Sequence, residues 1–257
     1  MGNDILPLIL QEHSQDAHGR LNLELRKIDQ PSAMITVIRF IECEKKRVKL
    51  INYGASEHLE WVALEDKLKS CTMFFSSLFA ANSPHMEAVW KEGLYNAVVL
   101  QKKIIINLGG INTISPNKKL AILEIIGKNA DLVSMNGDEY INCGVENETQ
   151  LRKLFSHAKM IIVTKGEEGA IIYTKGSRIR LAAMEVEKGV PKFRIGCGDA
   201  FLAGFLFAMH SEMDIEEAGV FASRMASLKL QHHESHLASD IGNQLLEKGG
   251  PDYAFYR

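Results

Sequence analysis

Residues 192–209 read KFRIGCGDAFLAGFLFAM. Gly196 and Gly198 flank Cys197 and stand directly before one acid, Asp199, and the residues that follow are apolar on nearly every side of a helix. A helix apolar all round belongs in the interior of a sizeable domain. Its first turn then forms a fixed platform of unpaired N–H groups at the positive end of the helix dipole, a natural seat for an oxyanion or phosphoryl group. The two glycines let the backbone approach such a guest closely. Asp199 can take a proton from a hydroxyl there while the amides stabilise phosphate charge. The same letters also fit a plain helix cap behind two turn glycines. Cys197 fits a small packing residue better than a nucleophile, because nothing places a base beside it. Gly204, costly inside a helix, suggests a closely packed neighbour.

Working outward, buried strands alternate with helices. CTMFFSS, KKIIINLGG, DLVSMN and KMIIVTKG are predicted strands, and SPHMEAVWKEGLYNAVVL, SPNKKLAILEIIGKN and NETQLRKLFSHA are predicted helices, the first with Pro84 near its start. That alternation predicts an α/β fold with a mainly parallel sheet covered on both faces, whose ligands bind beyond the C-terminal strand ends. GAIIYTKGSRIRLAAMEV adds further strands, and helices are expected from Asp199 to about Lys248. Before all of these, PSAMITVIRFIE and KRVKLINYG predict a β-hairpin or paired strands, and SEHLEWVALEDKLKS a helix with Ser56 as its candidate cap. The GG pair of NLGGINTISPNKK lacks the dinucleotide fingerprint and predicts a loop.

Bulk properties exclude several functional classes. The 257 residues suit one sizeable α/β domain, with 46% apolar and 24% charged residues. A net charge of −2 and no long Lys/Arg block give nucleic acid no footprint. The four cysteines, Cys43, Cys71, Cys143 and Cys197, are scattered and contain no CxxC pair, the pattern of reduced intracellular thiols. The opening MGNDILPLILQEHSQ has an apolar run too short for a bilayer and no signal-peptide cleavage site, so a cytoplasmic protein is expected.

Two further elements carry chemistry. Asn136 and Glu139 of MNGDE put an amide and a carboxylate at a strand end, able to hold the waters of Mg²⁺; such a spacing also marks an ordinary helix start. Thr164, Gly166 and Gly169 of TKGEEG make a strand–turn–strand whose amides and hydroxyl can meet nucleotide phosphates, or simply a glycine turn. No GxxxxGK[ST] sequence occurs, so a P-loop is not the phosphate site.

In this order the motifs resemble those of the ribokinase (PfkB-type) carbohydrate and nucleoside kinases. GCGDAFLAGFL is similar to the family signature that ends in Gly-Ala-Gly-Asp before a buried helix, MNGDE to its NxxE motif and TKGEEG to its TxGxxG turn. The upstream hairpin, with Gly54-Ala55 after it, is similar to the family's lid strands. The resemblance implies a three-layer α/β/α kinase domain over residues 1–257 with a small β lid at 32–53. It implies Asp199 as the base that deprotonates the acceptor hydroxyl, and Gly196, Cys197 and Gly198 as the anion hole for the γ-phosphate of ATP. Asn136 and Glu139 would organise Mg²⁺, and Thr164, Gly166 and Gly169 would contact ATP. The acceptor would be a sugar or, alternatively, a nucleoside; a nucleotide-binding protein without turnover is the other alternative. A homodimer through the lid strands, at Ile35, Val37 and Ile38, is expected too.

The departures set further expectations. Phe193 and Arg194 stand where the family has an Asp-Thr pair that helps to form a monovalent-cation site, which speaks against potassium activation. MGNDILPLILQE resembles the family's Gly-x-Asp segment, with neither the usual opening strand nor the sugar-binding GG…N motif upstream of Gly2. Asn3 and Asp4 are the expected remnants of the acceptor pocket.

Overall fold

The structure is a computed structural model that describes residues 34–39, 47–52, 54–61, 65–81, 83–186 and 193–232. Asn3 and Asp4 lie outside the described residues, as do the side chains of Ile35, Val37 and Ile38 on which the expected dimer face depends. The fold is a three-layer α/β/α arrangement with a mixed, mostly parallel central sheet and a small separate two-stranded sheet. The central sheet runs in the order β3 (Met73–Ser77), β4 (Lys103–Asn107), β5 (Leu132–Asn136), β6 (Met160–Thr164), β7 (Ala170–Thr174) and β8 (Arg178–Leu181). The chain divides into compact units at 1–105 and 106–257, with the boundary inside β4.

In the first unit, β1 (Met34–Arg39) and β2 (Arg47–Asn52) form the expected antiparallel hairpin. Ser83 caps the helix Pro84–Val99 by accepting from the Met86 N–H, with Pro84 in the first turn where its missing N–H costs nothing. Gly93 lets that helix close onto Trp61, since a Cβ there would stand 2.8 Å from the indole. The expected helix from Ser56 is instead a 3-10 turn, Gly54–His58, and a short helix, Glu65–Ser70. The Leu59 carbonyl between them accepts from His85 Nε2 at 2.8 Å, so a side chain takes an acceptor that a continuous helix would need.

In the second unit, β5 and β6 are parallel in register and β6, β7 and β8 form an antiparallel meander. The run from β6 to β8 needs no crossover because a tight glycine turn joins β6 to β7. The strands carry apolar side chains toward both layers of helices: Val133, Met135, Ile162 and Ile172 are buried, as are Ile122, Leu123 and Ile126 from the helix Pro116–Asn129.

The signature segment forms the helix Cys197–His210, packed against the helix Ile215–Gln231. Gly204 makes the close approach possible: a Cβ would lie 2.7 Å from Met225 Cγ and 3.3 Å from the Ala222 Cα. One expectation needs correcting. The helix is buried along Phe201, Leu202, Phe205 and Ala208 rather than all round, and Phe207 is 48% exposed. Phe207 instead stacks on Phe221 of the neighbouring helix, with ring centroids 5.8 Å apart. Among the described residues no helix is long and apolar enough to cross a membrane.

Candidate functional site at the strand ends

Three motifs meet at the C-terminal ends of the strands in the second unit. Asn136 ends β5, Thr164 ends β6, and the two are register partners. Asn107 ends β4, the strand next to β5 in the sheet, and the backbone continues that pairing through the Leu108 N–H to the Ser134 carbonyl at 2.8 Å. The helix Cys197–His210 packs against β5. Its first turn reaches the same edge through Asp199, whose Oδ1 accepts from Asn107 Nδ2 at 3.3 Å.

Gly196 starts that helix in the left-handed region at φ 83°, which only glycine adopts cheaply. The stem of buried Lys229 lies beneath it, 3.3 Å from where a Cβ would stand. Gly198 faces open space, with nothing within 4 Å of the corresponding position. Packing therefore gives no reason for a glycine at 198, whereas access to the first-turn amides does. Cys197 is half-buried and donates its thiol to the Phe193 carbonyl at 3.3 Å. Burial pushes this thiol up, against the pull of Lys229 and Arg194. Burial likewise pushes Cys143 up to about 12. Both are packing thiols rather than activated nucleophiles.

Asp199 keeps an exposed edge, yet the atoms around it displace enough water to hold its carboxyl above the ordinary value, while the bond from Asn107 pulls the other way. A carboxyl so placed is a stronger base than a fully hydrated one and stays exposed enough for a substrate to reach.

Asn136 and Glu139 form a capping box at the helix Gly137–Asn142. Asn136 Oδ1 accepts from the Glu139 N–H at 2.9 Å, and Glu139 Oε2 from the Asn136 N–H at 2.8 Å. The helix-start explanation of NxxE thus holds in full. It also fixes a buried carboxylate in the first turn after Asn136, the register partner of Thr164. One carboxylate and one amide suit Mg²⁺ held chiefly through its own water. Among the described residues no group of three His, Cys, Asp or Glu side chains gathers as a direct metal cage would.

The TKGEEG turn is built on glycine at both ends. Gly166 (φ 60°) and Gly169 (φ 86°) are left-handed, and a Cβ on Gly169 would lie 1.9 Å from the Leu181 carbonyl oxygen. The turn sits beside the signature loop, where Arg194 donates to Glu167 Oε1 at 3.0 Å. Both partners are exposed, so the pair locates the two segments without contributing much stability.

Sequence reasoning placed Asn107 in the strand KKIIINLGG but gave it no role. The available signal was a polar residue closing a buried apolar strand at the end where α/β sheets bind ligands. It also missed Arg194 as the link to Glu167, since it considered position 194 only for what it replaces.

A 5-dehydro-2-deoxygluconokinase of Bacillus subtilis (strain 168) is 28% identical over 189 residues, 70% of this chain and 57% of that protein. A nucleoside kinase of Methanocaldococcus jannaschii is 29% identical over 113 residues, 44% of this chain and 36% of that protein. The chain thus spans little more than half the length of the first of these relatives and about a third of the second. Among solved structures, adenosine kinase from Sinorhizobium meliloti superposes with a TM-score of 0.82 at 19% identity, covering 97% of this chain and 76% of that one. Ribokinase from Thermotoga maritima gives 0.73 at 16% identity, covering 96% and 79%. At these identities the structures show the fold, and the family rests on a direct match: residues 23–241 fit the pfkB family of carbohydrate kinases, and the chain belongs to that family.

Proposed function

We propose that the protein is an ATP-dependent phosphotransferase that moves the γ-phosphoryl group of ATP to a hydroxyl of a sugar. The observation that carries this reading is the placement of Asp199 on the first turn of the helix Cys197–His210, beside open space at Gly198 and in contact with Asn107 at the strand ends.

In this reading the acceptor hydroxyl donates its proton to the Asp199 carboxylate. The freed oxygen lone pair forms a bond to the γ-phosphorus. The bond from that phosphorus to the β–γ bridging oxygen breaks, and ADP leaves with its electron pair. The amides of Gly196, Cys197 and Gly198 neutralise charge on the phosphoryl oxygens, at the end of the helix where the dipole helps. Thr164, Gly166 and Gly169 contact ATP at its phosphates. Asn136 and Glu139 would hold Mg²⁺ through its waters, and the ion would offset the charge of the phosphates. Alignment and charge neutralisation supply most of the rate in such a transfer.

The acceptor panel begins with the compound named by the relatives, 5-dehydro-2-deoxygluconate, followed by other sugars and then nucleosides. The nucleoside reading is retained because of the Methanocaldococcus jannaschii relative. ADP release would be followed with Mg·ATP and each acceptor, and the product read by ³¹P NMR. A new phosphate ester that depends on the acceptor supports the proposal and gives its substrate class. ATP binding with no ester from any acceptor would refute it in favour of a nucleotide-binding protein without turnover.

A further inference from the structure

Asn107 stands outside every motif that led to the site, yet it is the residue that touches the proposed base. Its two amide atoms have distinct jobs. Oδ1 accepts from the Gly109 N–H at 2.9 Å, which fixes which way the amide faces. Nδ2 is then the atom turned to Asp199, and it donates to Oδ1 of that carboxylate at 3.3 Å. An ionised carboxylate accepts at both oxygens, so a donor on one of them orients the group and leaves the other for a substrate.

We propose that Asn107 is a positioning residue for Asp199: pinned by the turn at Gly109, its amide holds Oδ1 and presents Oδ2 to the acceptor hydroxyl. This rests on the reading of Asp199 as the base. The turn that pins it is itself ordered. Gly110 takes φ 98°, and the Ile111 N–H donates to the Leu108 carbonyl at 3.0 Å, closing the chain tightly behind Asn107. The same bond favours the ionised form of Asp199 and so opposes the effect of burial. The other charged and titratable groups around the start of the helix Cys197–His210 are the Cys197 thiol, Arg194 with its partner Glu167, and Lys229 of the adjoining helix. Burial and Asn107 are what shift the Asp199 carboxyl.

Two substitutions separate positioning from loop support. Asn107→Asp keeps an oxygen for the Gly109 N–H and exchanges the donor for a second carboxylate, whereas Asn107→Ala removes both bonds. The Asp199 carboxyl would be titrated by ¹³C NMR in the full chain, assigned by its loss in Asp199→Asn, and kcat/KM followed against pH. In Asn107→Asp the Asp199 midpoint should rise by about one pH unit or more, a tenfold change in proton affinity, with a smaller rise in Asn107→Ala. The acid limb of kcat/KM should move upward with it, while the KM for ATP stays near wild type. An unchanged midpoint in both variants overturns the proposal. So does a loss of folding stability in Asn107→Ala with a wild-type midpoint in Asn107→Asp, the pattern of a residue that only supports the turn. The two readings fail separately. Turnover with an unmoved midpoint overturns the role of Asn107 and keeps the kinase. A midpoint that moves in a protein without turnover keeps the hold of Asn107 on Asp199 and overturns the kinase.

Discussion

The two glycines that frame the TKGEEG turn give a sharp test of how this part of the molecule is built. Gly169 has φ 86° and ψ −134°, a region that side-chain-bearing residues avoid. A Cβ there would sit 1.9 Å from the Leu181 carbonyl oxygen and 2.8 Å from the Ala183 amide nitrogen. Those atoms are backbone, and Leu181 is the register partner of Ala170, so relief requires β8 to pull away from β7. Backbone strain of roughly 1–3 kcal/mol adds to the loss of a ladder hydrogen bond, about 1 kcal/mol, and to poorer packing of the strand end. Gly169→Ala should therefore cost about 3–5 kcal/mol. Gly166 is left-handed at φ 60° but has nothing within 4 Å of the Cβ position. Gly166→Ala should cost only about 1 kcal/mol, partly offset because alanine restricts the unfolded chain. Urea unfolding followed by circular dichroism compares the two in one experiment. Near-equal midpoints for the two variants would refute the argument that backbone contact, rather than turn conformation alone, requires Gly169.

Because burial holds the Asp199 carboxyl above its ordinary value of 3.8, turnover should fall as pH drops through a midpoint above that value. A carboxyl raised on folding destabilises the folded state once ionised, so Asp199→Asn should leave stability at neutral pH equal to or slightly above wild type in thermal unfolding. Gly198→Ala fills open space on a helix and should leave the midpoint of unfolding unchanged or raised, while cutting turnover about tenfold or more by crowding the amides. Gly204→Leu would drive a side chain into Met225 and Ala222 and should destabilise by about 2–3 kcal/mol, measured by urea titration.

Much of the fold was legible in the sequence because buried parallel strands leave an unambiguous signal. IIIN, LVSMN and IIVT are short apolar runs bounded by turns, with helical patterns between them, and the structure places each as expected. The orientation of β7 and β8 was less legible, since apolar strands look alike in either direction and only the shortness of TKGEEG points to an antiparallel return. Burial of the signature helix was overstated for a related reason. Composition shows that a helix is apolar all round, but not that Phe207 and Phe221 cover one another near the surface.

The candidate site divides in the same way. Motifs that are local in sequence, GCGD, NGDE and TKGEEG, were readable because backbone turns and caps build them from neighbouring residues. Asn107 was not readable in that way: its partner is 92 residues further along, and only the sheet brings the end of β4 to the first turn of the signature helix.

Acceptor-dependent ADP formation should be measured for the wild-type protein and for Asp199→Asn at saturating Mg·ATP, with the ATP dissociation constant determined for both by calorimetry. The kcat should be lower by about 10²–10⁴ in the variant with ATP affinity nearly unchanged, the loss expected when a base that acts only on the acceptor is removed. A variant that turns over like the wild type would contradict the role of Asp199 as that base.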